Sequence, residues 1–391
     1  MYKIMMIAPR PFYIDRGFGV KVLEEYRALV ERGHKVKVVA YRLGESLEGV
    51  DIVRSIGLPW FKNAYSKPSY NFCILDILLF FKCVFITFSF RPNIIHAHIH
   101  EGGLIGILVS KIFKIPVIID TQDFLVDMIE ERKLSLGSAF IVRLFYALEK
   151  FIDHHVDALI SWYVSRKQKI IKKYGVDCKK VFLCKECIDN NRFNPQVGFQ
   201  KKLFEELQLP KDKNIVGYLG LLLPTQGADD LLKIAEKILK QRNDIHFLIM
   251  GFPEKKYQDL VVSMGLDSYF TFTGGIKYSL AHKYLSLCNI LISPKRTLAE
   301  GNGKLLNYLA MGKAIVVYDT PVNKEIIGNA GILVEMGNID GFVNALNSLL
   351  ENDYKCLEYE KKARERSLKE FSSYDMACSI EKVYQTVLDA Q

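Results

Sequence analysis

The chain lacks a pair of cysteine motifs at zinc-binding spacing. Its eight cysteines are scattered, and Cys184-Lys185-Glu186-Cys187 has no second close pair to complete a site. Scattered thiols suit a reducing, cytosolic compartment better than a disulfide framework. No run of interleaved aromatic and basic residues marks a nucleic-acid module, so nucleic acid is not an expected partner, although the net charge is +9. That balance points to other anions, namely nucleotide-sugars and anionic membrane surfaces. The opening MYKIMMIAP is too short and too abruptly ended for a signal peptide. The full glycine fingerprint of dinucleotide folds is missing, and so is a paired-carboxylate motif for a divalent ion. No metal and no cofactor are expected.

What is present is alternation. Lys3–Ala8 reads as a strand, then a loop carries Gly17 and Gly19, then a helix runs to Arg32 with Val22, Leu23, Tyr26, Leu29 and Val30 on one face. Lys35–Ala40 is the next strand. Further strands are expected at 92–98, 115–119, 157–161 and 180–184, with helices at 102–113, 138–155 and 164–174. Strand–helix–strand units of this kind favour a doubly wound parallel sheet. The stretch 190–213, with Pro195, Pro210 and mixed charge, reads as a hinge, and the pattern restarts at Asn214. A chain of 391 residues accommodates two such domains.

The segment Asn71–Phe90, NFCILDILLFFKCVFITFSF, approaches the length of a membrane span, but Asp76 and Lys82 interrupt it. A buried helix of an α/β domain is expected. A helix lying on a membrane surface is the second reading and a true span the third. The neighbouring helix 164–174 is basic, so pelleting with anionic vesicles at low salt is expected, and its loss at high salt.

The stretch the chain is organised around is PKRTLAEGNGKLLNYLAMGKAIVVYD, residues 294–319. Glu300-Gly301-Asn302-Gly303 is a loop whose glycines admit a ligand close to the backbone. Lys304–Met311 is a short helix with Leu305, Leu306 and Leu309 at core spacing, and Ala314–Tyr318 a buried strand. A glycine loop entering a helix offers N–H groups to an anion. Lys295, Arg296 and Lys304 add positive charge beside one carboxylate, Glu300. That set suits a phosphate carrying a polyhydroxylated group. His96, His98 and His100 recur at every second residue and would share a face if one strand held them all. Glu101-Gly102-Gly103 signals a turn and a helix start, so the strand is expected to end near His98.

The stretches Glu300–Gly303 and Asn307–Gly312 resemble the signature of the family 4 retaining glycosyltransferases, a Glu-Gly-Phe-Gly-like loop before a Glu-Ala-Met-Ala-x-Gly-like helix. Gly17-Phe18-Gly19, Arg32-Gly33-His34, His96-Ala97-His98, Asp189 with Phe193-Asn194-Pro195, and Gly220 with Gly227 follow the family's order over most of the chain. The resemblance implies the GT-B fold: α/β, two Rossmann-like doubly wound parallel-sheet domains facing across a cleft. Residues 1–195 would be the acceptor-side domain, 196–370 the nucleotide-sugar domain, and 371–391 a helix packing back toward the first. It implies metal-independent transfer of a sugar, with retention, from a nucleotide-diphosphate-sugar to a glycan or lipid-linked acceptor. Surface polysaccharide or glycolipid synthesis would be the setting, in the cytoplasm or at the inner face of the plasma membrane. Carried onto this sequence, the catalytic set is Glu300, Lys304, Asp123 and His98. The donor-binding set is Gly17, Gly19, Gly220, Gln226, Lys295, Gly301, Asn302, Gly303, Leu305 and Asn307.

Four positions depart from the family pattern. Leu221 and Gln226 stand where an arginine and a lysine are usual, Gln122 where a histidine is, and Asn307 where the second glutamate falls. Lys304, Lys295 and Arg296 are expected to substitute for the missing cations. Gln122 cannot act as a base. Asp123 or His98 contributes, or the departing phosphate takes the acceptor proton. These departures keep two alternatives open: a non-catalytic nucleotide-sugar or glycan-binding scaffold, and a nucleotide-sugar epimerase.

Overall fold

Among the described residues of this computed structural model, every strand pair is parallel. The structure describes residues 1–62, 70–122, 126, 139–298 and 301–390. The chain divides into two units: Met1–Glu186 with Ser373–Gln391, and Cys187–Ser372.

In the first unit the strands are β1 (Lys3–Ala8), β2 (Lys35–Ala40), β3 (Ile52–Arg54), β4 (Ile94–His98), β5 (Val117–Asp120), β6 (Ala158–Ser161) and β7 (Val181–Leu183). Their order is β3-β2-β1-β4-β5-β6-β7, so the winding reverses between β1 and β4. The helices are α1 (Gly17–Glu31), α2 (Tyr70–Phe90), α3 (Ile99–Phe113), α4 (Ala139–His155) and α5 (Val164–Tyr174). A parallel sheet is covered on both faces, so its strands are apolar nearly throughout. Met5, Ile7, Ile95, Ala97 and Ile119 form one core with α2 to α5.

The second unit repeats the plan with β8 (Asn214–Leu219), β9 (Ile245–Met250), β10 (Phe270–Phe272), β11 (Ile290–Ser293), β12 (Ala314–Tyr318) and β13 (Ile332–Val334). The order is β10-β9-β8-β11-β12-β13, with its reversal between β8 and β11. Its helices are α6 (Lys201–Glu206), α7 (Ala228–Leu239), α8 (Lys255–Ser263), α9 (Ala281–Ser286), α10 (Lys304–Ala310), α11 (Pro321–Ile327), α12 (Ile339–Leu350) and α13 (Asp353–Glu370). The last helix, α14 (Ser373–Asp389), returns to the first unit and packs on α1.

Two sequence expectations change. The stretch 190–213 is built into the second unit rather than left as a linker. Phe193 is fully buried there, and Arg364 donates to the carbonyls of Asn190, Phe193 and Ala310. The chain accordingly changes unit at 186/187 and 372/373, where the resemblance implied 195/196 and 370/371. Second, Asn71–Phe90 is not a buried core helix. It buries Leu75, Leu79, Cys83 and Ile86 against the sheet and leaves its opposite face exposed.

Candidate active site

In open parallel sheets, ligands bind beyond the carboxyl ends of the strands where the winding reverses. In the second unit that point is the end of β8 and β11. Two loop segments meet there, 220–227 and 294–298. The amides of Arg296 and Thr297 both donate to the Thr225 carbonyl, at 3.2 and 3.1 Å. Gly227 has φ +83°, and a Cβ on it would lie 1.8 Å from the Pro294 carbonyl oxygen. Only glycine allows the loops to touch so closely.

Lys304 opens α10 and turns its ammonium over the Tyr218 ring, 4.3 Å from the centroid, a cation–π contact worth about 0.5–2 kcal/mol. A Cβ on Gly220 would come within 2.7 Å of the Lys304 Nζ. The Tyr218 hydroxyl is fixed in turn, donating toward the carbonyls of Leu221 (2.8 Å) and Gln226 (3.3 Å). One cation is therefore held at the strand ends by an aromatic ring and a bare backbone.

The neighbouring cations have partners of their own within this unit. Arg296 makes a two-pronged pair with Asp230, at 2.6 and 2.8 Å, and Tyr318 donates to the same carboxylate at 2.7 Å. The bonds to Asp230 hold the Arg296 guanidinium's pKa above its ordinary value, outweighing partial burial. Lys295 is buried and donates to the Gly301 carbonyl at 2.5 Å. Asn302 is buried too, and its amide donates to Ser293 Oγ and Asn323 Oδ1, pinning the glycine loop to β11 and α11. The Leu305 amide goes to the Asn302 carbonyl, while its side chain is core. Gly303 is exposed, and Asn307 lies buried on the next turn of α10.

In the first unit the register sets His98 of β4 beside Asp120 of β5. Asp120 is the hub of a buried polar cluster. It accepts from Trp162 Nε1 and from Gln122 Nε2 (2.7 Å), lies 3.3 Å from His98 Nδ1, and pairs with Lys21 of α1 at 3.5 Å. Burial by itself would raise the Asp120 carboxyl, but Lys21, His98 and Trp162 outweigh it and hold it far below the carboxylate range. Glu25, one turn along α1 from Lys21, is fully buried with its Oε2 3.7 Å from His96 Nε2. Burial first, and then the adjacent Asp120 charge, push the Glu25 carboxyl well above its ordinary value. Burial, helped by His98, pushes His96 down, and Tyr384 of α14 bonds its Nδ1 at 2.7 Å. Glu25, His96 and His98 have ligand atoms within 4.8 Å of one another and can converge on a small cation. His100 departs from the other two, as the turn at Glu101 predicts, and pairs with Asp153 of α4 at 3.2 Å.

Two sequence families match the two halves of the chain: "Glycosyltransferase Family 4" over residues 16–192 and "Glycosyl transferases group 1" over 199–366. The chain belongs to the family 4 glycosyltransferases. Two curated relatives from Staphylococcus aureus illustrate the kinship. A poly(ribitol-phosphate) alpha-N-acetylglucosaminyltransferase is 25% identical over 41% of this chain and 33% of its own length, so the match spans a third of that enzyme. The capsular polysaccharide biosynthesis glycosyltransferase CapM is 21% identical over 80% of this chain and 82% of its own. Two solved structures share the GT-B fold throughout. Sucrose-phosphate synthase from Thermosynechococcus elongatus superposes with a TM-score of 0.81 at 17% identity, covering 100% of both chains. Anabaena HepE in complex with UDP superposes with 0.76 at 15% identity, covering 98% of this chain and 100% of its own.

Of the site residues read from this transferase's sequence, Glu300 and Asp123 lie outside the described residues. The structure brings together Lys304, Gly220, Gln226, Lys295, Gly301, Asn302, Gly303, Leu305 and Asn307 in the second unit. Gly17 and Gly19 begin α1 in the first unit, and a Cβ on Gly19 would lie 2.4 Å from the Ile14 carbonyl oxygen. His98 is fully buried and already engaged with Asp120. Sequence reading missed Lys21, Glu25, Asp120 and Trp162. The available signal was Lys21 and Glu25, two charges four apart on the sheet-facing side of a helix. The apolar face expected for α1 is buried at Val22, Leu23, Tyr26 and Leu29, but Val30 is exposed and the buried side also takes in Glu25.

Proposed function

We propose that this chain moves a sugar from a nucleotide-diphosphate-sugar to a glycan or lipid-linked acceptor of a surface polysaccharide or glycolipid, with retained configuration and without a metal. The observation that carries this is the Lys304 ammonium, held on the Tyr218 ring against Gly220 at the reversal between β8 and β11. When the glycosidic bond breaks, negative charge gathers on the departing diphosphate, and a cation fixed in advance stabilises it without reorganising. Lys295 and Asn302 shape the loop that carries Gly301 and Gly303. Arg296 supports that loop through Asp230, and Lys304 is the cation this reading assigns to the phosphate. In this reading Glu300 meets the transferred sugar, and the departing phosphate takes the acceptor's proton, so Gln122 need not be a base. UDP bound to Anabaena HepE and the capsular role of CapM support the donor class and the setting. Eight free thiols support a cytoplasmic location.

Calorimetry with UDP, ADP and GDP tests the reading. At least one is expected to bind, and Lys304→Glu to abolish both that binding and release of nucleoside diphosphate from the matching donor. Unchanged turnover by Lys304→Glu removes the residue from the site. Failure of the wild type to bind any of the three ends the assignment. A second reading, a binding protein without transfer, draws on Leu221 and Gln226 at the usual cation positions and on the commitment of Arg296 to Asp230. It predicts that donors bind and no nucleoside diphosphate is released with any acceptor.

A further inference from the structure

Among its described residues the first unit carries an exposed apolar outer surface. Along α2 the exposed side chains Ile77, Phe81, Phe85 and Phe88 recur every three or four residues, and the last three are 63%, 64% and 67% exposed. Of the most apolar stretch of this helix, only 28% is buried, whereas a core helix of a soluble protein is mostly buried. The neighbouring α3 continues the surface with Leu108 and Ile112, and the Phe88 and Phe113 rings meet at 4.8 Å. Beyond α3, α4 presents Phe140, Leu144, Leu148 and Phe151, again one stripe at helical spacing. These three helices lie on the same face of the sheet and share one core beneath. Contiguous exposed apolar patches of this kind mark a partner.

The charges say which partner. On α3 and α4 the exposed charged side chains among the described residues are cations, Lys111, Arg143 and Lys150, and Lys114 follows directly after α3. The acids of the same layer are drawn inward. Asp76 accepts from Tyr41 and Glu101 from Arg10, while Glu149 and Asp153 are buried. On α5, which Tyr146 of α4 touches through the Lys173 carbonyl, Lys172 and Lys173 are exposed. An apolar face rimmed by one sign of charge matches an anionic lipid bilayer, whose headgroups attract the cations while its acyl boundary takes the rings. A second copy of this surface would bring like charges together.

We propose that the outer faces of α2, α3 and α4 form a membrane-docking surface that seats the first unit in the headgroup region of an anionic bilayer, with the phenylalanines of α2 inserted. The helix lies in the interface and does not span it, because its other face is built into the core. The proposal is independent of the reaction proposed above, since it concerns a different unit and is read without a nucleotide.

Co-sedimentation with vesicles of equal parts phosphatidylglycerol and phosphatidylcholine tests it. The full chain is expected to pellet with these vesicles and to keep part of that binding at high salt, where charge attraction is screened. Phe81→Ser/Phe85→Ser/Phe88→Ser is expected to lower partitioning by about tenfold or more at both salt concentrations. Lys111→Glu/Arg143→Glu/Lys150→Glu is expected to weaken binding mainly at low salt. Circular dichroism and a cooperative melt establish that each variant folds, and a variant that does not fold is replaced by single substitutions at Phe85 or Arg143. The proposal fails if the wild type stays in the supernatant, or if the phenylalanine variant binds as well as the wild type. It also fails if wild-type binding disappears entirely at high salt, or if light scattering finds a dimer that the phenylalanine substitutions dissolve.

Discussion

Gly220 and Gly227 sit seven residues apart in one loop, yet a methyl group would do different things at each. At Gly227 the obstacle is backbone, the Pro294 carbonyl oxygen at 1.8 Å, and neither partner can give way without moving a strand end. Gly227→Ala is expected to cost ~2–4 kcal/mol of stability in urea unfolding. At Gly220 the obstacle is the tip of a flexible side chain, Lys304 Nζ at 2.7 Å. Gly220 also has φ +138°, which strains an alanine there, so Gly220→Ala is expected to cost ~1–3 kcal/mol of stability while displacing the ammonium and weakening nucleoside diphosphate affinity about tenfold. Unchanged nucleoside diphosphate affinity in Gly220→Ala would contradict this reading. At this scale the gathering of Gly220, Gly227 and Lys304 at the strand ends of the second unit was legible in sequence, because glycine and lysine carry their meaning locally. The Asp120 cluster was not. A buried aspartate at a strand end looks like any turn residue until the register shows His98 beside it and Lys21 above it.

Elements are tied to one another by a few buried polar pairs, and the pair between α3 and α4 reports on pH. Burial alone would lower the His100 pKa, but the Asp153 charge and hydrogen bond, with Glu149 behind, raise it from 6.5 to about 9. The folded state thus holds this proton more tightly than the unfolded chain. The resulting stabilisation is complete below about pH 6.5 and fades as pH rises through about 9, a change of about 3 kcal/mol. His100→Gln is expected to flatten that part of the profile when urea midpoints are compared between pH 6 and pH 10. An unaltered difference between the two proteins across that range would exclude the pair as its source. The long elements were readable from period alone. β1, β2 and β12 fall on their expected residues, as does α5, and β8 starts at Asn214 where the pattern was expected to restart. The three-residue edge strands β3 and β13 were not, since so short a run shows no period. The unburied face of α2 was hidden for the opposite reason. A helix apolar all round shows no preferred side in sequence, so only its neighbours reveal which face they leave bare.

Taken whole, the molecule is built from one continuous and one discontinuous unit. Cys187–Ser372 holds its sheet, its glycine loop and Lys304 in a single stretch. An excised 187–372 fragment is expected to fold cooperatively and to bind the same nucleoside diphosphate as the full chain, which calorimetry checks. A 1–186 fragment is expected to melt at least several degrees lower than the first unit of the full chain, or not to fold. It lacks α14, whose Tyr384 closes over His96 and whose Glu381 takes Arg32 and His34 at 3.0 and 2.8 Å. The return of α14 sets an order on synthesis. While the ribosome is still translating residues 187–372, the growing chain holds seven strands whose last covering helix does not yet exist. His96 and Glu25 wait with one side open to water until Tyr384 emerges. A product that stops short of residue 373 leaves this seam unsealed.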